Sequence, residues 1–86
     1  MSPKQCRAAR ALLRWSTLQL AERAGVPLQT VLDFQAGRHI PSAKDLQAIR
    51  RAIEDAGIHL YRRAGTEWVS PEPGVVDRAT RRAAGR

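Results

Sequence analysis

A single cysteine, Cys6, among 86 residues leaves no route to an internal disulfide framework or to a cluster of thiolate metal ligands. Two histidines, His39 and His59, are too few and too far apart to replace one, so neither a metal nor another cofactor is expected. The N-terminal MSPKQCRAAR lacks the apolar core of a secretory signal, and no run approaches the roughly 18 apolar residues that span a bilayer. A cytoplasmic protein is the expectation, with no membrane partner. Catalysis has no footing either: one thiol, isolated imidazoles and scattered acids provide no pairing of nucleophile with base. The chain is read as a non-enzyme.

Acids are also scarce. Eight Asp and Glu face 15 Lys and Arg, a net charge of +7, which favours a polyanionic partner over an acidic protein surface without naming it. A chain this short forms one domain and buries only about 60% of the surface it exposes when unfolded, so its core must be small.

What is present is helical punctuation. Ser2, Pro3 and Gln5 have the order of an N-cap, a first-turn proline and the third residue of a capping box, predicting a first helix from Pro3 to about Trp15. Cys6, Ala9, Leu12 and Leu13 share one face of it, while Lys4, Arg7, Arg10 and Arg14 follow another. Ser16 and Gln19 repeat the capping signal for a two-turn helix carrying Leu20, Ala21 and Ala24, which Gly25 ends. A third short helix is predicted from Leu28 to Gln35 with Val31 and Phe34 inward, closed by Gly37. Ser42 then caps a fourth, with Asp45 in its first turn and Leu46, Ile49, Ile53 and Ala56 along its apolar face, up to Gly57.

Beyond Gly57 the period changes. Ile58, Leu60, Trp68 and Val69 flank a polar stretch centred on Ala64-Gly65, compatible with a small β-hairpin over residues 58–70. Pro71, Pro73 and Gly74 break regular structure, and DRATRRAAGR offers almost nothing to bury, so 71–86 is expected to be a mobile basic tail. Arg78, Arg81, Arg82 and Arg86 would be solvated there or follow a DNA backbone without reading sequence.

The stretch CRAARALLRWSTLQLAERAGVPLQTVLDFQAGRHIPSAKDLQAIRRAI resembles the Cro and lambda-repressor-type helix-turn-helix family, also called Xre-like, over about the first two-thirds of the chain. A small residue where two helices cross (Ala21), a glycine at the turn (Gly25) and apolar anchors in the next helix (Val31, Phe34) carry the likeness, with Gly37, Pro41 and the apolar face of helix 4 in support. The implied fold is mainly all-α, a domain of four short helices over residues 1–57. The implied function is binding of duplex DNA with the third helix in the major groove, braced by the second.

The outward face of helix 3 would then carry base readout through Leu28, Gln29, Leu32 and Asp33. Gln29 suits adenine N6 and N7, the leucines suit a thymine methyl, and Asp33 suits cytosine N4. Phosphate contacts fall to the hydroxyls and N–H groups of Ser16 and Thr17, to Thr30, and to Arg38, His39 and Lys44 beyond helix 3. The sequence departs from the family at several of these places. Thr17 replaces a common Gln, Leu18 replaces a polar residue, and helix 3 lacks Lys and Arg. Arg10 corresponds to an arginine that pairs with a helix 3 glutamate, yet Gln35 stands at the acidic position, leaving at best a hydrogen bond to a neutral group and freeing Arg10 for phosphate. Trp15, Tyr61 and Trp68 raise base stacking, but Trp15 at the junction of helices 1 and 2 reads as core.

The expected whole is a bacterial or phage-encoded transcriptional regulator, a homodimer on a short operator, joined through helix 4 or residues 58–70. The apolar surface after Gly57 should need such a cover. The alternative is an antitoxin or other interaction module whose helix-turn-helix autoregulates or has lost specific DNA readout, with a protein partner held through residues 58–76.

Overall fold

Serine begins three of the four helices. In the computed structural model, which describes residues 1–71, the chain forms α1 (Pro3–Leu13), α2 (Thr17–Ala24), α3 (Leu28–Gln35) and α4 (Ala43–Asp55), then an antiparallel hairpin of β1 (Ile58–Arg63) and β2 (Thr66–Pro71). Ser2, Ser16 and Ser42 each accept the N–H of the third helical residue, and Gln5 and Gln19 return the bond to complete capping boxes on α1 and α2. α3 has no such cap and starts after Pro27. At eight residues it is too short to persist without packing.

Two helix ends share a left-handed cap on different residues. α2 stops at Gly25, whose φ of 72° lets its N–H bond Ala21 O at 2.9 Å. α1 stops at Leu13 rather than Trp15, because Arg14 takes the left-handed conformation at φ 57° and Trp15 N turns back to Arg10 O. That early stop creates the tight corner from which α2 departs.

The core joins every helix to the hairpin: Cys6 and Ala9 of α1, Leu20 and Ala21 of α2, Val26, Val31 and Phe34 from the turn and α3, Ile49 and Ile53 of α4, and Ile58 of β1. Val31 and Phe34 are buried as expected. Leu12 and Ala56 are not: both are exposed. Leu12 lies about two turns beyond Gln5 and one beyond Ala8, where β2 crosses α1, and Ala56 falls on the C-cap of α4.

The hairpin pairs Ile58 with Pro71, Leu60 with Val69 and Tyr61 with Trp68, so its last paired residue is Pro71, the first residue expected to break it. Ile58 is buried, and Leu60 and Val69 are half-buried against the helical core. Part of the apolar surface after Gly57 that was expected to need a cover is thus covered within the chain, by α1 and α4. On the other face Tyr61 stacks on Trp68, ring centres 5.2 Å apart, and Trp68 remains 41% exposed. The basic segment 72–86, with Arg78, Arg81, Arg82 and Arg86, lies outside the described residues, as does the C-terminal part of the 58–76 partner segment.

Gln5 ties the hairpin down. Its buried amide donates to Tyr61 O at 2.7 Å and Trp68 O at 3.1 Å while its Oε1 accepts from Ser2 N, so one side chain serves the helix cap and the docking of both strands. Replacing Gln5 with Ala is expected to cost about 1–3 kcal/mol in urea unfolding, because two strand carbonyls lose their donor. A change below about 0.5 kcal/mol would mean that water replaces the amide freely.

The hairpin turn holds both Ala64 (φ 52°) and Gly65 (φ 81°) at positive φ, the arrangement that favours Asn-Gly. Since Ala is strained there by about 1 kcal/mol, Ala64→Asn should stabilise the domain by roughly half to all of that amount, read as a raised Tm. A lowered Tm would exclude that turn geometry.

Candidate nucleic-acid interface

α3 presents the predicted division of faces. Val31, Phe34 and Gln35 are buried, while Gln29 is exposed and Leu28 and Leu32 remain 39% and 37% exposed. Asp33 and Thr30 stand at the margin of this outward face, half-buried. The expected readout set therefore lies together on one side of one short helix.

Gln35 fixes that helix to its brace. Its Oε1 accepts from Arg10 Nε at 2.9 Å and lies 3.9 Å from the Cys6 thiol, and its Nε2 donates to Thr17 Oγ1 at 3.1 Å. Its main-chain oxygen accepts from Arg7 Nη1, which places a cation at the negative end of α3. α1, the start of α2 and the end of α3 thus meet at one buried amide. The Arg10 bond to Gln35 follows the sequence reading. The freedom expected of Arg10 does not, because its Nη1 also donates to Trp15 O at 2.9 Å. A guanidinium held by two inward acceptors supports the corner between α1 and α2 before it meets any phosphate.

The hydroxyls at the start of α2 are also partly engaged. Ser16 N–H donates to Gln19 Oε1 at 2.7 Å and its Oγ accepts Gln19 N, so only its hydroxyl proton remains to give. Thr17 likewise accepts from Gln35 and keeps its proton, aimed from a position fixed by a buried group. The N–H groups of Thr17 and Leu18 belong to the first turn, which an α-helix cannot pair internally. Leu18 is 51% exposed beside them.

Beyond α3, the N–H groups of Arg38 and His39 fold back to Asp33 O, and the Arg38 guanidinium lies 3.4 Å from Asp33 Oδ1. The same carboxylate oxygen accepts from Gln29 Nε2 at 2.8 Å. Sequence reasoning missed this linkage although its signal was present, since Gln and Asp four residues apart on a helix are neighbours. His39 and Lys44 are exposed on the loop and in the first turn of α4, and among the described residues neither side chain makes a hydrogen bond. Gln35 as the hub was half legible: its pairing with Arg10 was expected, its bonds to Thr17 and Arg7 were not.

Trp15 packs half-buried against the core with the Arg23 guanidinium 5.0 Å over its ring, which leaves little of it for stacking on a base. Among the described residues no three His, Cys, Asp or Glu side chains gather where a metal could be held, and no helix is long and apolar enough to cross a membrane. No protein-family model matches the chain, and no curated protein resembles it significantly.

Cys6 is fully buried, and burial pushes its thiol up to about 11 from 9.0, against the smaller opposing pull of Arg10 and Arg7. Because the folded value lies above the unfolded one, this group's contribution to stability is complete below pH 9 and disappears as pH rises from 9 towards 11. Native protein at pH 8 should therefore resist a thiol reagent that labels it fully in urea. Equal labelling rates in both would contradict a closed core around α1.

Proposed function

We propose that the protein binds duplex DNA sequence-specifically as a transcriptional regulator, inserting α3 into the major groove as a homodimer on a short operator. The observation that carries this reading is the pinned pair α2 and α3. A short helix whose outward N-terminal face sets Gln29 between Leu28 and Leu32 is held by a buried amide against a second helix, whose first turn offers hydroxyls and unpaired N–H groups to a phosphate. The net charge of +7 supplies the sequence-blind attraction.

In this reading Gln29 reads a base pair, Leu28 and Leu32 pack on thymine methyls, Thr17 and Ser16 donate to one phosphate, and His39 and Lys44 flank the next, with Arg38 beside them drawn to Asp33. Dimerisation follows from contact number: one such module makes too few contacts for operator-grade affinity, and two-fold pairing sets two recognition helices about 34 Å apart. The hairpin face formed by exposed Trp68 and half-buried Tyr61 is available for that pairing. A second reading, an antitoxin or other interaction module, has an observation of its own in Leu18, Leu28 and Leu32, three exposed apolar side chains on α2 and α3.

Selection from a random duplex pool, followed by binding titrations and sedimentation, separates the two. The DNA reading predicts enrichment of a two-fold site and a dimer on it; only the alternative predicts a heterocomplex stable at high salt. Gln29→Ala should weaken the selected site by about 1–3 kcal/mol and leave scrambled duplex nearly unchanged. Lys44→Ala should weaken every sequence alike and lower the salt slope by about one unit. An unaltered slope would remove Lys44 from the phosphate set.

A further inference from the structure

Two of the residues on which DNA recognition would depend are tied to a single carboxylate. Asp33 lies one turn after Gln29 on α3 and holds Gln29 Nε2 at 2.8 Å through Oδ1, with Arg38 Nη2 3.4 Å from the same oxygen. Its main-chain oxygen also accepts the N–H of Arg38 at 2.9 Å and of His39 at 3.4 Å, which folds the chain after α3 back onto it. We infer that Asp33 is a positioning residue, orienting the Gln29 amide for base readout and holding Arg38 away from phosphate, rather than a reader of bases itself. The inference rests on the DNA-binding reading above.

The argument is one of donor and acceptor accounting. An ionised carboxylate only accepts, so the amide nitrogen of Gln29 must face Asp33 and its Oε1 must face away. One amide N–H is then spent on Asp33, and the second N–H with Oε1 remains as the donor and acceptor pair that adenine N7 and N6 complement. A glutamine so held does not sample the flipped orientation, which would offer the wrong pattern.

The same oxygen restrains Arg38. A carboxylate on a surface facing phosphates repels them unless a cation neutralises it, and Arg38, 67% exposed at its side chain, is the cation beside it. Arg38 therefore offsets Asp33 first. Only the remainder of its charge is offered to the backbone of non-specific DNA. Asp33 in this arrangement exchanges general affinity for discrimination.

A base reader and a positioning residue predict different outcomes for one substitution. With a site selected by the wild-type chain, Asp33→Ala should relax preference at the base pair that Gln29→Ala relaxes, and the double variant should add no further loss there. It should also tighten binding to scrambled duplex and steepen the salt slope by about one unit, since Arg38 is released. Asp33→Asn separates the two duties: it keeps an acceptor oxygen for Gln29 and so retains the base preference, yet lacks the charge that holds Arg38 and so gains the steeper slope.

All variants are measured as full-length protein, with circular dichroism to establish that the helices persist. Loss of preference at a base pair that Gln29→Ala leaves intact, with unchanged slope, would overturn the inference and make Asp33 a direct reader. Failure of the wild type to enrich any duplex is a separate outcome. It overturns the DNA reading itself, before any variant is compared.

Discussion

The buried amide of Gln35 is the constraint on which the rest of this small domain depends. A core of ten buried apolar residues, several of them Ala, Val or Cys, holds helices together without dictating how they rotate about one another. A buried amide does dictate it, because its carbonyl and its nitrogen each need partners on opposite sides and desolvation without them costs about 1–3 kcal/mol. Gln35 is satisfied only when Arg10 of α1 and Thr17 of α2 stand where they do. The outward orientation of Gln29, less than two turns earlier on the same helix, follows from that.

Gln5 does for the hairpin what Gln35 does for α3. Both glutamines are buried, both reach a main-chain or hydroxyl group distant in sequence, and together they fix the two elements least able to stand alone. A two-stranded hairpin and an eight-residue helix are each marginal in water. Polar pins of this kind contribute little net stability. They contribute register, since a sliding strand or a rotated helix would leave the amide without its partners.

The same features explain what was legible in the sequence. Caps were, because Ser2-Pro3-Gln5 and Ser16-Gln19 are local chemistry that the structure reproduces bond for bond. So was the helical period that buried Val31, Phe34, Ile49 and Ile53. Leu12 was misplaced because helix spacing defines a face without saying how far along it the neighbours extend. The hairpin was foreseen as a segment but not as a part of the core, since no local pattern announces that Gln5 will reach across 56 residues to Tyr61 O. The site was legible in part: which residues share the outer face of α3 follows from spacing, whereas the engagement of Arg10, Ser16 and Asp33 is a matter of geometry across elements.

A glutamine at position 35 also changes the electrostatics of the surface around it. Arg7 and Arg10 both donate to Gln35, and neither meets a carboxylate there, so their charges are bonded without being neutralised. Had an acid stood at this position, one positive charge beside Thr17 would have been cancelled internally. As it is, the start of α2 combines the positive end of its own dipole with the Arg10 guanidinium, while Arg7 meets the negative end of α3. On the DNA reading this offsets the poverty of α3, whose eight residues include no Lys or Arg. Attraction to the backbone then comes from the side of the groove and discrimination from Gln29 and its leucine neighbours. That division places affinity and specificity on different helices, joined at one amide.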